Sequence, residues 1–227
     1  MDGLLLIDKP AGITSHRVIE TIRNKLKIKK VGHAGTLDPL ATGLLVIMLG
    51  KATKLSNQLI SQSKTYEVEM KLLCETDTGD ITGKIVSQEK SRSFAIKKIQ
   101  QALYHFTNHE YYQQPPRYSA IKIKGKKLYQ YARQNIPVEI PTRLVKIKKI
   151  KLVNYSPDEG KIKLVVECSK GTYIRSLVKD IAEKLGTIAT VSQLRRISSG
   201  DFHIAQALKL AEVKAEKIIL REKGKCF

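Results

Sequence analysis

The stretch Gly32–Leu45, GHAGTLDPLATGLL, brings three glycines, one histidine, one proline and a single acid, Asp38, into one short segment. Such ingredients could serve a phosphate cradle, a metal site, a nucleophilic triad or a lone presented carboxylate. A Walker-type loop needs G-x-x-x-x-G-K-[ST]. The nearest match, GKAT at Gly50, has Ala52 where a magnesium-binding hydroxyl belongs and Leu45 in place of the first glycine. The stretch holds no G-x-G-x-x-G. His33 has no histidine four residues on and no cysteine pair nearby, so zinc-site spacing is missing. A Ser-His-Asp system stays open by residue order, but the G-x-S-x-G elbow is absent. That leaves Asp38. Pro39 pushes it toward extended backbone, and Gly32, Gly35 and Gly43 permit tight turns or close approach of another chain. By residue type alone, the simpler reading of Asp38 is an Asx-turn, its carboxylate bonding nearby N–H groups.

The elements around this stretch must position it. LLLIDKP reads as a strand ending at Pro10, and TSHRVIETIRNKLK as a helix with Val18, Ile19, Ile22 and Leu26 on one side. LLVIML, Leu44–Leu49, reads as a buried strand, and KATKLSNQLISQ as a short helix. In TYEVEMKLL the residues Tyr66, Val68 and Met70 alternate with Glu67, Glu69 and Lys71, the pattern of a half-buried strand. ETDTGDITGK is a polar turn region. SFAIKKIQQALYHF predicts a helix with Ile96, Ile99 and Leu103 on its apolar side. Strands are expected at RLVKIKKIKLV and KIKLVVEC. A helix follows at YIRSLVKDIAEKL, stopped by Gly186. The sum is an α+β chain with a mixed or antiparallel sheet.

The chain has 227 residues, 42% of them apolar, enough for a substantial core in one large or two small domains. The apolar run Leu44–Leu49 is far too short to cross a bilayer. The segment MDGLLLIDKP lacks the regions of a signal peptide, so the expected compartment is the cytoplasm, with no membrane partner. Cys74, Cys168 and Cys226 are scattered and odd in number, which argues against a disulfide framework. With 41 Lys and Arg against 21 Asp and Glu, the formal charge is +20. Such an excess points to a polyanion, nucleic acid first; a lysine-rich proteome is the blander explanation. Charge and rings concentrate in PPRYSAIKIKGKKLYQYAR, where Arg117, Lys122, Lys124, Lys126, Lys127 and Arg133 interleave with Tyr118, Tyr129 and Tyr131 without a single acid.

GHAGTLDPLATGLL resembles the signature of the tRNA pseudouridine(55) synthases of the TruB type. So do other segments, in family order. LLLIDKPAGITSHRVI is similar to the N-terminal motif and SKTYEVEMKL to the tyrosine-bearing strand. QPPRYSAIKIKGKKLYQYAR is similar to the RNA-gripping insertion, CSKGTYIRSLVKDIAEKLG to the arginine-bearing motif and LRRISSGDF to the last catalytic segment. The resemblance spans about residues 3–205. It implies the pseudouridine synthase fold, a mixed and mostly antiparallel central sheet flanked by helices, with a basic insertion at about residues 112–141. It also implies isomerisation of a T-arm uridine, in which the N1–C1′ bond breaks, the uracil turns and C5 bonds to C1′. No atoms are gained or lost, so no cofactor, nucleotide or metal is expected. By motif match Asp38 is the essential carboxylate, with attack on C1′, attack on C6 and removal of a sugar proton all open. Tyr66 would stack under the target base and Arg175 would partner the aspartate. His33 would hold the displaced loop, and Tyr173 and Leu194 would contact the target nucleotide. The residues from Arg117 to Arg133 would clamp RNA backbone.

Each role has a structural competitor: core packing for Tyr66, Tyr173 and Leu194, a solvated helix face for Arg175, a solvated loop for the clamp. The resemblance implies tRNA as partner, a monomer, and no guide RNA. Residues 206–227 leave room for a short helix or tail but not for the PUA domain of many family members. Two other functions compete: the guide-RNA-dependent branch of the superfamily, and an idle RNA-binding or tRNA-folding module.

Overall fold

The computed structural model describes residues 1–219. They divide into two compact units, residues 1–67 with 194 onward, and residues 68–193.

The first unit opens with β1 (Gly3–Lys9), α1 (Ser15–Leu26), β2 (Val31–His33) and β3 (Thr42–Leu49). β1 and β3 are almost continuously apolar, as strands covered on both faces must be, and they pair antiparallel from Gly3↔Leu49 to Lys9↔Gly43. β2 lies antiparallel to the end of β3, His33 opposite Ile47. Thr14 caps α1 by accepting the Arg17 N–H, and the helix buries Val18, Ile19 and Ile22 as its periodicity predicts. The short helix expected after β3 is split into a 3-10 turn, Gly50–Leu55, and α2 (Ser56–Ser61). Leu4, Leu6, Leu44, Val46, Met48 and Leu59 form the core of this unit, with Phe202 and Ile204 against it.

β4 (Lys64–Leu72) runs on into the second unit and buries alternate residues, Tyr66, Val68 and Met70 among them, as expected. The polar turn region is flanked by a hairpin that the sequence did not suggest, β5 (Cys74–Thr76) and β6 (Ile85–Gln88). Next come α3 (Ile96–Tyr104), β7 (His109–Gln113), the small hairpin β8 (Lys122–Ile123) and β9 (Lys126–Lys127), and α4 (Leu128–Arg133). β10 (Arg143–Ser156), β11 (Lys161–Cys168) and α5 (Ile174–Leu185) follow, and then β12 (Ala189–Ser199), which leads back into the first unit. In α3, Ile99 and Leu103 are buried, but Ile96 is exposed because it opens the helix instead of extending its inner face. α5 buries Ile174, Leu177, Val178, Ile181 and Ala182, and Gly186 ends it in left-handed geometry. Cys74 and Cys168 are buried, and Cys226 lies outside the described residues.

The main sheet has the order β14-β1-β3-β12-β4-β11-β10-β7, where β14 is Leu208–Lys209 and the short β13 (Phe202–His203) hangs on β12. β1·β14 and β12·β3 are parallel, while β1·β3, β10·β11 and β10·β7 are antiparallel. The expectation of a mixed, mostly antiparallel sheet with flanking helices is met. Over 206–219, within the stretch expected to be a short helix or tail, the chain forms β14 and two 3-10 turns, Leu210–Glu212 and Ala215–Lys217. There β14 adds to the edge of β1, and Leu4 and Ile219 exchange backbone hydrogen bonds of 2.9 and 2.8 Å, which covers an otherwise open strand edge. Residues 220–227 lie outside the described residues. Among the described residues, no helix is long and apolar enough to cross a membrane.

The β3·β12 pairing requires a glycine. Gly43 has φ +98°, and a Cβ there would fall 2.3 Å from the Arg196 carbonyl oxygen on β12. Gly12 has φ +83° but nothing within 4 Å of its virtual Cβ. In urea unfolding, Gly43→Ala is therefore expected to cost at least about 3 kcal/mol, strain plus collision, and Gly12→Ala only about 1–2 kcal/mol of backbone strain. Equal losses would show that the β3·β12 approach is not tight.

Candidate active site

Asp38 sits between two residues whose backbones are pinned. Before it, Leu37 is bound twice by the buried hydroxyl of Ser15, the first residue of α1. Ser15 Oγ donates to the Leu37 carbonyl (3.0 Å) and accepts from the Leu37 N–H (2.9 Å). After it, the Pro39 carbonyl accepts from the Gly12 N–H (2.9 Å) and from Lys9 Nζ (3.3 Å). The Asp38 carbonyl itself takes the Ala41 N–H at 3.1 Å. Asp38 is half-buried, held at the backbone and partly open at the side chain.

Two buried cations, Lys9 and Arg196, support this loop, a third, Lys64, ties the end of α2 nearby, and the sequence singles out none of them. Lys9, at the end of β1, is wholly buried, and its ammonium also donates to the carbonyls of Pro10 (2.8 Å) and Ile13 (2.7 Å). Burial pushes its pKa down to about 8; the nearby Asp38 carboxylate opposes the fall and Arg196 adds to it. Arg196, 1% exposed, donates Nε to the Leu44 carbonyl (2.6 Å) and Nη2 to the Gly35 carbonyl (3.1 Å). Lys64 collects the carbonyls of Ile60 and Gln62 at the end of α2, each at 2.7 Å. Gly35 lies between the last two: a Cβ on it would be 3.6 Å from Arg196 Nη1 and 3.9 Å from Lys64 Cε. A lysine or arginine read from sequence is exposed by default. The only hint was position, since Lys9 falls between an apolar strand and Pro10.

The other candidates of the first unit lie on elements that meet this loop. His33 ends β2, two residues before Gly35. Its Nδ1 is buried without a hydrogen-bond partner among the described residues. Burial, then the charges of Arg196 and His16, lower its pKa below the ordinary imidazole value, so the ring is neutral at neutral pH. Tyr66 shares the buried face of β4 with Lys64. Leu194, 8% exposed, has its carbonyl 3.5 Å from the Thr42 hydroxyl, and the next residue, Arg195, grips Asp8 through two bonds of 3.1 and 2.7 Å.

Tyr173, Arg175 and the basic segment belong to the second unit. Tyr173 occupies the N-cap position of α5, with the Arg143 guanidinium 5.6 Å from its ring centroid. Arg175 is not a solvated helix residue: it is 6% exposed, and it donates to the Thr78 carbonyl (2.7 Å) and the Tyr118 carbonyl (2.9 Å). In the insertion, β8 and β9 turn through Lys124 and Gly125, both at positive φ, the geometry of a tight two-residue hairpin. Leu128 and Ala132 root α4 in the unit, while Arg117, Lys122, Lys124, Lys127 and Arg133 are exposed and Lys126 is half-buried. Lys126 lies over the Tyr131 ring at 5.0 Å, and Lys127 and Arg133 over Tyr129 at 5.7 and 5.3 Å. The first unit thus carries a fixed acid loop, and the second carries an outward-facing array of cations on aromatic rings.

A family model described as TruB family pseudouridylate synthase (N terminal domain) matches residues 23–174. The chain belongs to the TruB family. The activity of that family is isomerisation of uridine to pseudouridine. A second model, tRNA pseudouridylate synthase B C-terminal domain, matches residues 175–225. The "tRNA pseudouridine synthase B" of Mesoplasma florum is 44% identical over 96% of this chain and 75% of its own length. That of Alkaliphilus oremlandii is 47% identical over 95% and 71%. Among solved structures, a chain of "Crystal Structure of a Cbf5-Nop10-Gar1 Complex" aligns at TM-score 0.71 and 30% identity, covering 92% of this chain but 53% of that one. The chain thus spans about half the length of that structural relative.

Lys9 gives this loop a measurable pH signature. An unfolded lysine keeps its proton to about pH 10.5, whereas folded Lys9 releases it near 8. Between those values the unfolded state binds more protons, so this residue's contribution to folding stability rises with pH, by up to about 1.4 kcal/mol per unit. Lys9→Met has no such titration. The difference in unfolding free energy, native protein minus variant, should grow in favour of the native protein between about pH 8 and 10.5. A flat difference in paired urea titrations would mean that the ammonium keeps its ordinary pKa.

Proposed function

We propose that this chain converts the T-arm uridine of tRNA, position 55, to pseudouridine, with Asp38 as the essential carboxylate. The observation that carries the reading is the loop itself: an acid pinned on both sides at the backbone and half-open at the side chain. The relatives named as tRNA pseudouridine synthases support tRNA as the substrate. The N1–C1′ bond breaks, the uracil rotates, C5 bonds to C1′, and the proton lost from C5 is balanced by one gained at N1. The exchange is internal and draws on no cofactor.

A uridine in a folded T loop must leave its stack before its base can be turned. Tyr66 supplies a face for the extruded uracil, and stacking of this kind contributes about 1–3 kcal/mol per base. Leu194 and Tyr173 line the nucleotide, limiting water at C1′ where hydrolysis would compete. His33, neutral at neutral pH, holds the displaced loop by ring contact or hydrogen bond rather than by charge. By motif match Arg175 is assigned the role of the aspartate's partner. The cations Arg117, Lys122, Lys124, Lys126, Lys127 and Arg133 grip phosphates, with the tyrosines beneath them stiffening the lysine and arginine stems. We assign residues 1–205 to catalysis, with the insertion at about 112–141 as the clamp and residues 206–227 as a short extension. The protein acts as a monomer in the cytoplasm, without a guide RNA.

Mass mapping of unmodified tRNA incubated with the protein alone should find a new pseudouridine in the T loop. Asp38→Asn should abolish it and leave tRNA affinity within about threefold, since an uncharged isostere changes no clamp contact. Pseudouridine made by that variant would refute the assignment of Asp38, and tRNA binding without product in the native protein would favour a folding module. Changing Lys122, Lys124, Lys126 and Lys127 together to Ala should lower the slope of log affinity against log salt by about 3. An unchanged slope would place the electrostatic footprint elsewhere.

A further inference from the structure

We infer that Gln113 is a positioning residue for the proposed site: its side-chain amide fixes the first turn of α5, from which Tyr173 and Arg175 project, to the root of the basic insertion. The inference rests on the roles just proposed for those two residues. Gln113 ends β7 and is 1% exposed. A buried carboxamide needs partners on both sides. Its Oε1 accepts the Tyr173 N–H at 2.8 Å, and its Nε2 donates to the Tyr173 carbonyl at 3.2 Å and to the Tyr111 hydroxyl at 2.7 Å. One side chain therefore holds both backbone groups of Tyr173, as a neighbouring strand would, although Tyr173 lies outside any strand.

The direction of every bond in this network is determined. Because Tyr111 accepts from Gln113, its own proton goes to the Asp180 carboxylate on α5, at 2.8 Å. Reversing the amide would set its NH2 group against the Tyr173 N–H. Burial, with Asp180 beside it, holds the Tyr111 phenol well above the ordinary tyrosine range, so it stays a donor. Tyr173 stands at the N-cap of α5, where its own N–H has no partner within the helix and takes its acceptor from Gln113.

Gln113 is also the start of a longer seam. The Gln114 carbonyl accepts from the Ser176 hydroxyl at 2.7 Å, and the Tyr118 carbonyl accepts from Arg175 at 2.9 Å. Arg143, opposite Gln113 in the β10·β7 register, covers the Tyr173 ring. The segment 113–118, which leads into the insertion, and the turn 173–176 are thus joined at three residue pairs, Gln113–Tyr173, Gln114–Ser176 and Tyr118–Arg175, and Arg143, beside Gln113 in the register, adds a contact to Tyr173. A shift at Gln113 displaces Tyr173 and Arg175 relative to the root of the clamp.

The test uses three variants of the full chain. Gln113→Leu removes the amide, Gln113→Glu keeps its size but loses the donors, and Tyr111→Phe removes only the oxygen that orients it. Single-turnover pseudouridine formation on unmodified tRNA should fall about tenfold or more in both Gln113 variants and about threefold in Tyr111→Phe, as for a misplaced site, with tRNA Kd within about threefold. Amide exchange at residues 173–176 should quicken in all three. If the Gln113 variants do not fold, Tyr111→Phe decides alone. Rates within about twofold of the native protein, or losses that only track the unfolded fraction, would overturn the inference. So would unchanged exchange at 173–176, whether or not the protein acts on tRNA. A native protein inactive on tRNA with quickened exchange in the variants would instead refute the function and leave the tie standing.

Discussion

A short loop that must present a carboxylate cannot hold its own shape, and here the N-terminal segment holds it. Three residues of IDKPAGITS, namely Lys9, Gly12 and Ser15, supply bonds to Leu37 and Pro39, the immediate neighbours of Asp38. Each bond goes to backbone, so the loop is fixed whatever its exposed side chains are. Ser15 is in turn fixed as the first residue of a capped helix, and Lys9 as the last residue of a strand paired over its full length. The placement of Asp38 thus depends on β1, α1 and β3 all forming in register. A slip of one residue in β1 would carry Lys9 to the opposite face and release Pro39.

The interior charge needed for this is costly in isolation. A buried ammonium without partners would lose its proton or unfold its surroundings. Lys9 avoids this with three carbonyl acceptors, and its lowered pKa measures how incompletely they replace water. Arg196 uses a planar fork to reach two separate elements, Leu44 on β3 and Gly35 in the loop. Parallel pairing of β12 with β3 sets that reach, and the pairing is possible only because Gly43 has no side chain.

Much of this fold was legible in the sequence, and the exceptions have physical causes. Period-two burial in β4, the apolar runs of β1 and β3, and the stripe and glycine stop of α5 are local signals, and each appears where it was expected. The β5–β6 hairpin was missed because Ile85 and Val86 are exposed and show no alternation of burial. Ile96 matched the helical period but precedes the first full turn, so nothing packs over it. In the site, Asp38 stood out through its glycines and proline. Lys9, Lys64, Arg196 and Gln113 did not, because a polar residue becomes an interior strut only when distant carbonyls converge on it, and no local pattern encodes that convergence.

These struts change how the charge of the chain should be read. The excess of +20 suggests a polyanion only if its cations face outward. Among the described residues four do not: Lys9, Lys64, Arg175 and Arg196 are buried, against a single buried acid, Asp80. All four bond to backbone carbonyls. Part of the basic composition therefore serves to gather loop and helix-end carbonyls, a task independent of salt because those groups are shielded from it. The salt-dependent part belongs to exposed residues such as Lys122, Lys124 and Arg133, whose density over one acid-free segment, rather than the total, is the feature that favours a nucleic acid.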